Sequence, residues 1–99
     1  MQFIITAYDY IDEDAINRRL ANRKEHLAGI EIMAKQGTFL SGGAILNNEG
    51  KMIGSSAHVE FSDRSAVEAW INQDPYTTGK VWDEVSISEG LLFPVSKFL

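Results

Sequence analysis

The sequence contains no cysteine. That removes disulfides, thiolate metal sites and cysteine nucleophiles at once. It also favours a reducing compartment, because small secreted domains often lean on disulfides, and the cytoplasm is the expected location. No apolar run approaches the roughly 18 residues that a membrane-crossing helix needs. The opening Met1-Gln2-Phe3-Ile4-Ile5 lacks the basic start of a secretory leader, and its apolar stretch is too short for one. Positive charge is scarce: 9 Lys and Arg face 14 Asp and Glu, for a net charge of -5. Such a chain repels phosphate backbones and anionic lipid, so neither nucleic acid nor a membrane is an expected partner. Histidine is scarce too, at 2. Glu25-His26 has no His-Glu-x-x-His continuation, since residue 29 is glycine, and no metal is expected. Residues 37–43 lack the Gly-Lys-Ser/Thr of a phosphate loop, so no cofactor is expected either.

What remains is a globular composition over 99 residues, 44% hydrophobic and 23% charged. One domain spanning residues 1–99 is expected, and a chain of that size buries roughly 65% of its surface. Residues 2–8 form a β-prone run without strict alternation, as in a central strand covered on both faces. Asp12-Glu13-Asp14 then loads acid onto the start of a helix running from about 14 to 35. Its expected core stripe is Ile16, Leu20, Leu27, Ile30 and Ala34, and Gly37 is its expected stop. A second strand over 38–46 is interrupted by Gly42-Gly43, which predicts a bulge or a close backbone approach. Asn47-Asn48-Glu49-Gly50 is turn chemistry, and 52–61 returns as a third strand with Ser55, Ala57 and Val59 on one face. Asp63 caps a second helix whose inward stripe is Val67, Trp70 and Ile71, and Asp74-Pro75 ends it. A fourth strand over 81–88 is broken by Gly90. The greasy residues 91–99 are expected to pack on their own sheet or on a partner subunit.

The order β-α-β-β-α-β predicts an α+β, ferredoxin-like fold: a four-stranded antiparallel sheet with two helices on one face. The other face needs a cover that a single chain cannot supply. A homodimer of the dimeric α+β barrel type, or a higher homo-oligomer, is therefore expected.

Two residues draw attention chemically. Along the long helix Arg19, His26 and Met33 recur one heptad apart and line one ridge, with Arg23 one turn before His26. That places His26 at the boundary between core and surface, beside two guanidiniums. Histidine is the side chain best suited to proton transfer near neutral pH, although a boundary histidine can equally serve packing. Asp74 falls on the inward side of the second helix at its last turn, where the helix dipole opposes a carboxylate. That placement asks for a compensating partner, although Asp-Pro is also a common helix exit. Together they suggest a His–Asp pair, in which the carboxylate orients the imidazole and raises its basicity. Ser55 faces inward without a nucleophile-elbow context, so it reads as a hydrogen-bonding group rather than a nucleophile. His58 lies on the polar face of its strand, where a surface or interface histidine is the default. Trp70, Trp82, Tyr8 and Tyr76 read as core or interface aromatics.

Several stretches resemble the YCII-related family of small bacterial proteins. They are Arg19-Leu20-Ala21-Asn22-Arg23-Lys24-Glu25-His26-Leu27, Gly42-Gly43, Gly54-Ser55, Val59-Glu60-Phe61, Ala69-Trp70 and Asp74-Pro75-Tyr76. The resemblance covers nearly the whole chain. It implies a ferredoxin-like fold that pairs into dimers and an active-site His–Asp pair, falling on His26 and Asp74. One branch of the family resembles a dehydrochlorinase acting on chlorinated hydroxy-aromatics. Where relatives often carry Gly-Pro in the second strand, this chain has Gly43-Ala44, and its turn between the second and third strands is too short for a lid.

These observations lead to an expected function. The chain would be a cofactor-independent enzyme of elimination or isomerisation, a lyase or isomerase, acting on a small molecule, anionic or neutral. His26 would be the acid–base group and Asp74 its orienting partner. Arg19 or Arg23 would hold an anionic substrate, and Ser55 or Tyr76 would add a hydrogen bond. The alternative is a non-catalytic dimeric module that binds a small ligand or another protein.

Overall fold

A computed structural model describes residues 1–99. The elements follow in the order β1 (Gln2–Asp9), α1 (Ala15–Gln36), β2 (Phe39–Leu46), β3 (Met52–Glu60), α2 (Arg64–Gln73), α3 (Pro75–Thr78) and β4 (Trp82–Gly90), with a 3-10 turn at Val95–Phe98. The strands form one antiparallel sheet in the order β2-β3-β1-β4. This is the expected ferredoxin-like arrangement with one addition, since a third, four-residue helix follows α2.

Local chemistry explains most boundaries. Asp63 caps α2 by accepting a hydrogen bond from the Ala66 amide at 2.9 Å. Gly37 ends α1 in the left-handed region, at φ 79°. The Asn47 side chain closes the β2–β3 turn by accepting from the amides of Glu49 and Lys51. The acidic triplet ahead of α1 does not cap it through a side chain; instead Asp12 grips Arg18 with both oxygens, at 2.7 and 2.8 Å. That exposed pair lowers the Asp12 carboxyl to about 2.

Gly42 marks a close approach rather than a bulge. A Cβ there would lie 2.5 Å from the Ser56 carbonyl oxygen, and the register shifts fall on either side, between Phe39 and Ser41 and between Ile45 and Leu46. Gly90 does not break β4: it is the strand's last residue, pairs with Gln2, and leaves room for the Ile4 side chain that a Cβ would meet at 2.9 Å.

The core lies between the sheet and the helices. Phe3, Ile5, Ala7, Ala57 and Val59 point to it from β1 and β3, while Val67 and Ile71 seal it from α2, with Trp70 packed beside them. Here the stripe read for α2 holds. The stripe read for α1 holds only in part: Ile16 and Ile30 are half-buried, but Leu20, Leu27 and Ala34 are exposed, and the fully buried residues of α1 are Ala15, Arg19 and His26. The helix is rotated from its apolar pattern because those polar side chains find partners beneath it.

β1 is central, but only one of its faces is covered by this chain. Ile4 and Tyr8 on the opposite face are exposed. The tail does not pack on its own sheet either. Leu91, Phe93, Phe98 and Leu99 are exposed, and the tie to β1 is a hydrogen bond from the Leu92 amide to the Gln2 side chain at 2.8 Å. No helix is long and apolar enough to cross a membrane.

Candidate active site

Asp74 sits at the joint between α2 and α3. Pro75 forces it out of the helical region, to φ -64° and ψ 140°, and its side chain then caps α3 by accepting from the Tyr76 amide at 2.9 Å. The expectation of an electrostatically strained carboxylate at the end of α2 is corrected by this third helix. The same carboxylate faces the favourable N-terminal end of α3.

From the middle of α1, His26 reaches this joint. Its Nδ1 lies 2.8 Å from Asp74 Oδ2, and both side chains are buried. Tyr76 stacks on the imidazole with ring centroids 3.9 Å apart and 12° between planes, while Trp82 meets the ring edge-on at 5.8 Å. The ring is thus held by a hydrogen bond at its edge and an aromatic face on its side.

A second acid–base pair lies beside the first. Arg19 is 3% exposed, and its Nη1 donates to both oxygens of Asp9, at 2.9 and 3.0 Å. Its Nη2 donates to the Ser55 hydroxyl oxygen at 2.9 Å, and its guanidinium lies 4.7 Å over the Tyr76 ring. Burial pushes the Asp9 carboxyl above its ordinary value even though Arg19 pulls it down. Burial likewise raises the Tyr76 phenol, against the pull of Arg19 and Arg23. The Trp82 indole N–H closes the cluster by donating to Ser55 at 3.1 Å.

These groups border a cavity of about 190 Å³ between α1 and the sheet. His26, Arg19, Ser55, Tyr76 and Trp82 line it, and so does Arg23. Apolar walls come from Phe39, Trp70, Met52 and Ile30, and Gly42-Gly43 leave one side bare. Asp9 and Asp74 stand behind the lining, each gripping one basic side chain of it. No three histidine or carboxylate groups converge as a metal-ligand set.

The six residues singled out from the sequence therefore meet at one place, in different roles from those expected for two of them. Arg19 cannot offer a free charge to a substrate, because its guanidinium is neutralised by Asp9 and tied to Ser55. Arg23, exposed and without a carboxylate partner, is the guanidinium left at the cavity. Tyr76 presents its ring to His26, and its hydroxyl makes no hydrogen bond within the chain. Ser55 faces inward as alternation predicts. Asp9 and Trp82 are the members that sequence reasoning missed. Asp9 ends a strand whose odd-numbered residues all face inward, and that parity was the available signal.

Comparison with known proteins bears on the family and the fold. The YCII-related domain family matches residues 1–90. Protein YciI of Escherichia coli is 31% identical over 93 residues, covering 88% of this chain and 93% of that protein. Among solved structures, a 5-chloro-2-hydroxyhydroquinone dehydrochlorinase from Burkholderia phenoliruptrix, in complex with 2,5-dihydroxybenzoquinone, superposes with a TM-score of 0.80 at 22% identity, over 92% of this chain and 94% of that one. A dimeric ferredoxin-like protein of unknown function from a Jannaschia species superposes with a TM-score of 0.51 at 11% identity, over 92% and 98% of the two chains. At these identities the two structures speak to the fold alone.

Proposed function

Because the chain belongs to the YCII-related family, we propose that it is a cofactor-independent enzyme that moves a proton on a small organic molecule through His26. The observation that carries this reading is the tie of His26 Nδ1 to Asp74 Oδ2 at 2.8 Å in a residue that also lines the cavity. Asp74 Oδ2 already accepts from the Tyr76 amide, so it acts as an acceptor toward the ring as well. Nδ1 then carries the proton, and Nε2 keeps a lone pair for a substrate. A base so oriented contributes typically about 10²–10⁴-fold to a proton-transfer step.

The reaction class is elimination or isomerisation. Nε2 takes a proton from the substrate, the freed electron pair forms a new double bond, and either a leaving group departs with its bonding pair or the proton returns at another atom. The cavity of about 190 Å³ compares with the about 150 Å³ that holds one benzene ring. A single substituted ring fits the space, as does an aliphatic molecule of that size. The dehydrochlorinase neighbour acts on a chlorinated hydroxylated ring, and a related substrate is our first candidate here. Arg23 would draw in an anionic group against the overall charge of -5. The open sheet face and the exposed apolar tail support a homodimer as the working form.

The test is chloride release from 5-chloro-2-hydroxyhydroquinone. In parallel, deuterium uptake from D₂O is followed by NMR for a panel of hydroxylated single-ring compounds. His26→Ala should cut turnover by at least about 100-fold while the protein stays folded. A folded His26→Ala protein of undiminished activity, or a wild type silent toward the whole panel, would defeat the reading. A module that only binds is the second reading, favoured by the structural duty of Asp74 as the cap of α3. Ligand binding without turnover, unaffected by His26→Ala, would establish it.

A further inference from the structure

We propose that Ser55 is a one-way hydrogen-bond donor that selects ligands presenting an acceptor oxygen, either carbonyl or anionic, to the cavity. This rests on reading the cavity as a small-molecule site. A serine hydroxyl offers one O–H and two lone pairs. Arg19 Nη2 donates to the Ser55 oxygen at 2.9 Å, and Trp82 Nε1 donates at 3.1 Å. Both lone pairs are thereby engaged. No acceptor within the chain takes the hydroxyl hydrogen, and Ser55 borders the cavity.

Neither donor is free to turn away. Arg19 is clamped by both oxygens of Asp9 and lies over the Tyr76 ring. Trp82 is 6% exposed, and a buried indole N–H needs an acceptor. The neighbours of Ser55 in the sheet are Ala7 on β1 and Ala44 on β2, too small to cover its oxygen. Two donors on one oxygen also polarise its O–H, which strengthens the bond it gives.

The consequence is discrimination by the sign of the hydrogen bond. A ligand oxygen that accepts completes the network. A ligand N–H aimed at the same point meets no lone pair and is left unsatisfied in a buried site, which is the costly case. The buried Asp9–Arg19 pair thus has a purpose at the site: it fixes the direction in which Ser55 can bond, without offering charge to the ligand.

The experiment compares two probes of similar size by NMR shift titration. One is 2,5-dihydroxybenzoquinone, whose carbonyl oxygens accept; the other is toluene, which has no polar group. Wild type, Ser55→Ala and Trp82→Phe are titrated, with thermal melts to establish that each is folded. Ser55→Ala should weaken the quinone by about tenfold or more and change toluene by less than about twofold. Trp82→Phe, which frees one lone pair, should reduce the preference for the quinone part-way, and it carries the test if Ser55→Ala does not fold. An unchanged preference in the folded variants overturns the proposal and leaves the small-molecule reading standing. Equal weakening of both probes also overturns it, by making Ser55 a packing residue. A wild type that binds toluene and rejects the quinone overturns it as well. A wild type that binds neither probe overturns the small-molecule reading together with the proposal.

Discussion

Helices α1 and α2 lie over the same face of the sheet, yet they bury opposite kinds of side chain. From α2 the inward residues are Val67 and Ile71, and they complete the apolar core. From α1 they are Ala15, Arg19 and His26, while Leu20 and Leu27 of the same helix are exposed. The energetics explain the contrast. Burying a Val or Ile side chain gains about 1.5–3 kcal/mol from water release, with no further requirement. Burying a guanidinium or imidazole is tolerated only if each finds a partner, and Asp9, Ser55 and Asp74 are those partners. One helix buries apolar side chains; the other gives up part of its apolar face to bury paired polar groups beside the cavity.

Four measurements separate the two helices. The largest effect is expected at the Asp9–Arg19 pair. Arg19→Met should destabilise the protein by about 3–5 kcal/mol, because it leaves Asp9 buried without its cation. The double variant Asp9→Leu with Arg19→Met should recover most of that loss in urea denaturation. Recovery would mean that the pair is kept for the site rather than for the fold. No recovery would make α1 as much a stability element as α2.

Next comes Ile71→Ala on α2, which should cost about 2–4 kcal/mol by opening a cavity in the core, read from the same denaturation curves. It should leave the His26–Asp74 contact in place, since Ile71 belongs to the core cluster and does not line the site cavity. Loss of ligand binding in a folded Ile71→Ala protein would show that the two helices are not separable.

A third handle is pH. Burial holds the Asp9 carboxyl above its ordinary 3.8. An acid whose folded pKa is raised binds its proton more tightly when folded. Its contribution is therefore fully present below pH 3.8 and lost as pH climbs through the raised value. The stability of wild type relative to Asp9→Asn should fall with rising pH across that window and then level off. A difference that rises with pH would mean that Arg19 outweighs burial. Asp12 has the opposite slope: its carboxyl is lowered to about 2 by Arg18, and its contribution fades as pH falls through that value.

The smallest effect is expected on the outer face of α1. Leu20→Ser should change stability by no more than about 0.5 kcal/mol, because Leu20 is exposed and does not line the cavity. A larger loss that depends on protein concentration would show that a second copy covers this face. Sedimentation velocity on the wild type reports the same association directly, and an 11.0 kDa species at all concentrations would exclude a homodimer.

How much of this was legible in the sequence differs between the two helices. Val67, Trp70 and Ile71 at helical spacing, with Asp63 ahead and Asp74-Pro75 behind, read correctly as α2. For α1 the same reasoning selects Leu20 and Leu27, and it fails, because hydrophobic periodicity presumes that apolar residues win the buried face. The four residues of α3 are too short to announce themselves by any period, and without α3 the placement of Asp74 looked unfavourable. Gly90 was misread for a related reason: the close approach of Ile4 that it permits comes from a strand at the other end of the chain.

Legible along the chain were the order of the four strands and the two longer helices, the caps at Asp63 and Gly37, and the break at Asp74-Pro75. These depend on backbone preferences and on neighbours a few positions away. Only the tertiary structure decided which face of α1 turns inward, that Arg19 is spent on Asp9, and that Ser55 is left with nothing but a proton to give. Those outcomes depend on partners 10, 36 and 48 positions distant from the helix residues they hold. A buried charge or polar group takes its role from whatever folds up against it.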